Sequence, residues 1–341
     1  LPFVFICTIY FVRPAFPRSS NNLYPRHTPD NMYLKVVFFA VFVSFFYFDA
    51  REYPVHTSGG ILVTGGSSGI GKHAALALDA LGYTVYPTVR KESDVAALVE
   101  LRPTLRPVLL DVRDEQRCNQ VAAEIEKALE NEGKPFVGLV NNAGISRRLP
   151  MELENMKSIK NLYDVNIFGV LHTTKAFLPL LRAAGGGARI VNIGSTAAIV
   201  PHYGSVAYSA AKSALEAMTD VMRQELMQWD ISVSIVEPAY VKTKIASKQT
   251  GKNSAILGVP PEKLRLYQAW ADSVDANRLK NEAKAADVSV TNEAIVDAIN
   301  NRYPQTRYVV ANVGNLPAKL VAWLQWLLPD RIMDRIVMSK V

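Results

Sequence analysis

At 341 residues with 49% apolar content, the chain is long enough to bury the core of a large α/β domain, and its composition excludes an intrinsically disordered protein. Its 38 basic and 31 acidic residues give a formal charge of +7 without any Lys/Arg block, which excludes a nucleic-acid arm and suits a surface facing phosphates or anionic lipid. Cys7 and Cys118 cannot build a disulfide framework, and no Cys/His cluster has metal-ligand spacing, so reduced thiols and no metal are expected.

Residues 1–55 stand apart in composition. Leu1 to Val12 is apolar, Arg13 to Asp30 is rich in Pro, Asn and Arg, and Val36 to Phe48 is a second apolar run just after Lys35. Each run is shorter than a full membrane span. A cation followed by such a run fits a signal peptide or a short anchor, and Met32 would place it at an N-terminus. Phe48-Asp49-Ala50 is a poor cleavage site, which favours an anchor over a removed signal; an arm packed on the fold is the alternative.

From Gly60 onward, apolar runs of strand length alternate with helical patterns, which predicts a doubly wound parallel sheet of Rossmann type in a single domain over 56–341. Strands are expected at Gly60–Thr64, Tyr83–Val89, Pro107–Asp111, Phe136–Asn141, Arg189–Ile193, Ile231–Glu237 and Arg307–Val310. Helices are expected at Gly71–Leu81, Asp94–Leu101, Cys118–Glu130, Ile159–Arg182 (broken late by Pro179) and Ser205–Trp229. A mixed helical stretch, Lys244 to Asp287, precedes a last helix, and Leu316 to Val337 closes the chain with tryptophans, an apolar face and basic residues.

Between the first strand and its helix lies TGGSSGIG, Thr64 to Gly71. Glycines there permit a tight turn, let the backbone approach a pyrophosphate, and seat the helix N-terminus, with its free N–H groups, against it. At the end of the second strand, TVRK offers Arg90 and no carboxylate, which suits a 2′-phosphate and points to NADP in preference to NAD. Further along, YSAAK puts Tyr208 and Lys212 on one helical face with small residues between them. Upstream, Ser195 ends a strand, where ligands of open α/β sheets bind, and Asn166 lies inside the long helical pattern.

Gly65, Gly69 and Gly71 in the pattern T-G-x-x-x-G-x-G, with Ser195, Tyr208, Lys212 and Asn166 at these spacings, resemble the short-chain dehydrogenase/reductase family over about 58–243. The resemblance implies a cofactor turn made by Thr64, Gly65, Ser67, Ser68, Gly69, Ile70 and Gly71. It further implies Asp111, with Val112 beside it, at the adenine, and Asn142, Ala143 and Gly144 beside the adenosine ribose. In EPAYVKT, the resemblance implies that Pro238 shapes a turn whose following backbone, at Val241, can meet the nicotinamide carboxamide, and that Thr243 can approach the phosphates. Ala239 stands where the family usually has Gly, and its Cβ restricts φ.

The same resemblance makes Tyr208 the acid/base, its phenol brought toward ionisation by the Lys212 ammonium, and gives Lys212 a second task at the nicotinamide ribose. Ser195 would hydrogen-bond the substrate oxygen, and Asn166 would hold a water that relays the proton from Lys212. An NADP-dependent oxidoreductase interconverting a secondary alcohol and a ketone or aldehyde follows; a catalytically idle NADP(H)-binding scaffold or redox sensor is the alternative. Ile245, Ile256, Leu257, Val259, Leu264, Tyr267 and Trp270 fit either an apolar substrate pocket under a lid at 244–287 or packing of that lid on the body. With the amphipathic tail at 316–341, this resembles hydroxysteroid and retinol dehydrogenases, which implies a lipophilic substrate, membrane association such as at the endoplasmic reticulum (the cytoplasm being the alternative), and a homo-oligomer, dimer or tetramer.

Overall fold

The computed structural model describes residues 51–243, 259–273 and 283–338. Strand β1 (Gly60–Val63) leads through helix α1 (Gly69–Ala80) to β2 (Thr84–Val89), and α2 (Glu92–Leu101) to the short β3 (Val108–Leu109). Then α3 (Glu115–Glu130) crosses to β4 (Phe136–Asn141). A long helical unit follows as α4 (Met156–Tyr163), a π turn (Asp164–Phe168) and α5 (Gly169–Ala183), before β5 (Arg189–Ile193). The remainder is α6 (Val206–Leu226), β6 (Ser232–Pro238), α7 (Pro261–Leu266), α8 (Ser289–Asn300), β7 (Arg307–Val310), the small hairpin β8 (Asn312–Val313) and β9 (Leu316–Pro317), α9 (Ala318–Leu327) and α10 (Asp330–Met338).

Among the described residues, seven strands pair in the order β3-β2-β1-β4-β5-β6-β7, and every pair is parallel. Period-two alternation distributes the strand side chains to two apolar layers. Ile61 and Val63 face α1 and α8 through Leu78, Ile295 and Ile299, while Leu62 and Leu139 face α3, α5 and α6 through Ile125, Phe177 and Met222. Covered on both faces, β1, β2, β4, β5 and β6 are buried throughout, which is why they read as unbroken apolar runs. The chain runs outward from β1 to β3, then returns to β4 on the other side of β1, so the crevice for a ligand opens at the carboxyl ends of β1 and β4.

One local expectation changes. Pro179 does not break its helix: it lies inside α5 on the exposed face, and the buried Phe177, Leu180 and Leu181 around it hold the helix to the sheet. The C-terminal amphipathic segment forms two helices, with Pro329 between them. Of the N-terminal 55 residues, 51–55 are described and lie on the fold: Tyr53 is buried, its amide donates to the Arg302 carbonyl at 2.9 Å, and Arg189 Nη2 donates to the Pro54 carbonyl at 2.9 Å.

Candidate active site

The turn after β1 is built for close approach. Gly65 and Gly69 hold φ at 67° and 57°, which costs glycine little, and a Cβ on Gly71 would lie 2.3 Å from Asn142 Nδ2 and 2.5 Å from the Gly65 carbonyl. Thr64 Oγ1 accepts the amides of Asn142 and Ala143, each at 2.9 Å, while Asn142 Nδ2 donates to the Thr64 carbonyl at 2.8 Å. Thr88 ties the same turn to β2, accepting the Gly65 amide on its hydroxyl at 3.1 Å and the Gly66 amide on its carbonyl at 2.7 Å. The α1 N-terminus thus faces the crevice with no acidic residue in its first turn.

Most of the expected cofactor residues line one cleft of about 360 Å³: Gly65, Ser67, Ser68, Gly69 and Ile70 from the turn, Arg90, Asp111 and Val112 from strand ends, and Asn142, Ala143, Gly144 and Thr243 opposite. Thr64 and Gly71 lie off the lining as hydrogen-bonding and packing support. Pro238 and Val241 also lie off it; Pro238 pairs with Val310 at the end of β6, and Val241 bridges to Ala286. Ala239 keeps out of the left-handed region, so the alanine is accommodated without strain. Arg113 occupies the Asp111 carboxylate at 2.6 Å and holds its pKa below the ordinary value. Arg90, which faces Asp111, makes no hydrogen bond or ion pair among the described residues. The sequence reading missed Thr88, Val89, Leu110, Ile145 and Val165. Thr88, Val89 and Leu110 adjoin strand-end residues already singled out, whereas Ile145 and Val165 arrive from a loop and the π turn and carry no motif.

Past the Gly144 end of this cleft stand the residues expected to do chemistry. Tyr208 and Lys212 share a face of α6, and the Lys212 Nζ lies 5.9 Å from the centre of the phenol ring. That ammonium is buried, donates to the Ile193 carbonyl at 2.6 Å, and lies 3.9 Å from where a Gly144 Cβ would be. Ser195 follows β5, hydrogen-bonds Tyr208, and accepts the Ala197 amide on its Oγ at 3.1 Å. Asn166 sits in the π turn, where Oδ1 accepts the Ile145 amide at 2.9 Å and Nδ2 donates to the Ile145 carbonyl at 2.8 Å. A π turn re-aims one side chain inside a helix, and here it turns the amide to the loop beside Lys212.

The electrostatics differ from the sequence reading. Burial pushes the Tyr208 phenol above its ordinary value, and the groups that oppose this are Ser195 and Arg148, not Lys212. Burial also lowers Lys212 to about 8, against the nearby Glu216 carboxylate, which favours the ammonium. A protonated phenol and a neighbouring hydroxyl at a strand end form a donor pair for a carbonyl oxygen. Of the lid residues, Val259, Leu264, Tyr267 and Trp270 pack with Leu149, Leu153 and Tyr203 as an apolar layer, and Ile245, Ile256 and Leu257 lie outside the described residues.

A crevice at the switch point, glycines whose side chains would fill it, and a Tyr-Ser-Lys group at its far end define a nicotinamide-dinucleotide-dependent oxidoreductase, and the cradle residues fit that cofactor. A sequence model described as short chain dehydrogenase matches residues 60–254, more than half of the chain, and the protein belongs to that family. It is 32% identical over 306 residues to 11-beta-hydroxysteroid dehydrogenase type 2 of Oryctolagus cuniculus, covering 85% of this chain and 71% of that one. Against retinol dehydrogenase 16 of Homo sapiens it is 30% identical over 309 residues, covering 87% and 96%. A crystal structure of a short-chain dehydrogenase from Streptomyces avermitilis superposes with a TM-score of 0.64 at 28% identity, covering 83% of this chain and 96% of that one. The protein is therefore a dehydrogenase/reductase acting on CH–OH groups.

Proposed function

We propose that the protein uses NADP to interconvert a lipophilic secondary alcohol, steroid- or retinoid-like, and its ketone or aldehyde. The observation that carries this reading is the meeting of Tyr208, Ser195 and Lys212 at the carboxyl end of β5, beside the dinucleotide cleft. The bound nicotinamide supplies or accepts the hydride. Tyr208 gives its proton to the substrate oxygen during reduction and takes it back during oxidation. Ser195 holds that oxygen and steadies its developing charge. Ser195 and Arg148 favour the phenolate left behind, Lys212 stands beside the phenol 5.9 Å from its ring centre, and Asn166, its amide engaged by Ile145 at both ends, positions the loop next to Lys212.

Arg90, unpaired among the described residues and with no carboxylate on its strand end, supports NADP over NAD. The substrates in the relatives' names, hydroxysteroids and retinol, support an apolar alcohol. Membrane association and a homo-oligomer belong to the same proposal. No helix among the described residues is long and apolar enough to cross a bilayer. What α9 offers is a face of exposed Trp323 and Trp326, with Lys319, Arg331 and Arg335 nearby in sequence, which suits the plane of an anionic lipid surface. The deciding experiment follows NADPH oxidation with a panel of steroid, retinoid and simple ketones or aldehydes, comparing wild type with Tyr208→Phe. Turnover lost by at least about a hundredfold, with cofactor binding retained, is expected; wild-type turnover in the variant, or no turnover by wild type on any substrate, sinks the reading.

A further inference from the structure

Behind Lys212 lie two carboxyl groups that the proton transfer leaves unused, Glu237 buried and Glu216 partly so, with its Oε1 covered. Glu216 lies one turn further along α6, and Glu237 immediately precedes Pro238 in β6, where it is fully buried. The two carboxyl groups are in hydrogen-bond contact. Yet among the described residues no N–H or O–H reaches either oxygen of Glu237 or the Oε1 of Glu216. The other Glu216 oxygen accepts from Arg307 Nη1 on β7. Arg307 Nη2 donates to Asp220 at 2.5 Å, and Arg223 Nη1 donates to Asp220 at 2.7 Å.

Two touching carboxylates with no donor between them cannot both be ionised in a buried site, because desolvation and mutual repulsion both oppose the second charge. One proton removes both problems, since a carboxylic acid supplies the missing donor. The pair is also well placed to act on the active site. Glu216 Oε1 lies 3.2 Å from where a Cβ on Gly194 would sit. Gly194 separates Ile193, whose carbonyl receives the Lys212 ammonium at 2.6 Å, from Ser195.

We propose that Glu216 and Glu237 share one proton, and that this singly charged pair, anchored by Arg307, is the positioning group that keeps Lys212 charged and seated on Ile193. The positioning half rests on the reading of Lys212 as the partner of Tyr208; the shared proton does not. Burial, then the neighbouring Glu216, raises Glu237 to about 8. A carboxyl group raised in the folded state contributes stability that is complete below its unfolded value and is lost as pH rises toward the folded one. Wild type should therefore lose Tm between about pH 5 and pH 8 relative to Glu237→Gln, which keeps a donor amide without the titration.

Infrared difference spectroscopy of the full chain tests the proton without any turnover. The carbonyl band of a buried carboxylic acid is expected in wild type at pH 7, fading as pH rises past about 8 and missing from Glu237→Gln. Lack of that band in wild type at pH 7 overturns the shared proton. The positioning half is read from the pH profile of kcat/KM. Glu216→Gln removes the charge that opposes Lys212 deprotonation, so the alkaline limb should move down by roughly one pH unit, while Glu216→Asp, which keeps the charge, should stay nearer wild type. A Glu216→Gln profile that overlays wild type overturns the positioning role, even where the infrared band is present.

Discussion

Arg90 concentrates the question of cofactor choice in one side chain. It follows β2 at the rim of the cleft, and with no hydrogen bond or ion pair among the described residues its guanidinium is available to a phosphate. A charge-assisted bond of about 1.5–3 kcal/mol corresponds to roughly ten- to a hundredfold in affinity. Arg90→Ala is therefore expected to raise Kd for NADPH by about that factor and leave Kd for NADH nearly unchanged, as measured by fluorescence titration; equal losses for both cofactors would remove Arg90 from this role. The residues readable in the sequence were those whose type and spacing are both constrained: the glycines of the first turn, the YSAAK pair and the serine at a strand end. Thr88 was not readable, because a threonine in a strand is ordinary until its hydroxyl is seen holding the Gly65 amide. Nor was the contact of Glu216 with Glu237, which depends on how a helix packs on a neighbouring strand.

Elements in this fold are pinned as much by carbonyl capture as by apolar packing. Arg189 opens β5 at 2% exposure with no ion pair among the described residues; its guanidinium donates to the carbonyls of Gly187, Pro54 and Asn301 and lies over the Tyr53 ring at 5.3 Å. The preceding Gly185, Gly186 and Gly187 hold φ at 78°, 98° and 76°, and a Cβ on Gly187 would meet the Pro54 carbonyl at 2.6 Å. This glycine run lets the segment at Tyr53 and Pro54 close over the start of β5. Arg189→Ala leaves three carbonyls without their donor and should lower unfolding free energy by about 3 kcal/mol in a urea titration; a loss under about 0.5 kcal/mol would show that these contacts are ornamental. The strands themselves were legible because burial on both faces demands unbroken apolar runs. The π turn at Asn166 was not, since its sequence, DVNIF, has ordinary helical patterning and the turn is fixed by Ile145 across the gap. Pro179 misled for a related reason: local propensity argues for a break, and tertiary contacts on the far side of the helix override it.

For the whole molecule, the open matter is where it works. The C-terminal helices expose Leu320, Trp323, Trp326 and Leu327 on α9 and Ile332 and Ile336 on α10, more large apolar groups than a surface ordinarily leaves to water in one place. Removing both exposed indoles, in Trp323→Ala/Trp326→Ala, should weaken binding to anionic phospholipid vesicles by at least about tenfold in a flotation assay. Turnover of a water-soluble ketone should persist, because neither side chain belongs to the cleft. Undiminished flotation would assign the surface another task. The tail was recognised in the sequence as amphipathic, but its division at Pro329 was not, because a proline near a helix end and one between two helices read alike. One further consequence comes from Arg307. The guanidinium that donates to Glu216, one turn along α6 from Lys212, belongs to β7, an edge strand of the parallel sheet and the last of its described strands in the chain. The glycine turn and YSAAK are synthesised well before this cation, so under the proposed role of the carboxyl pair the surroundings of Lys212 are completed only when the last strand of the described sheet is made.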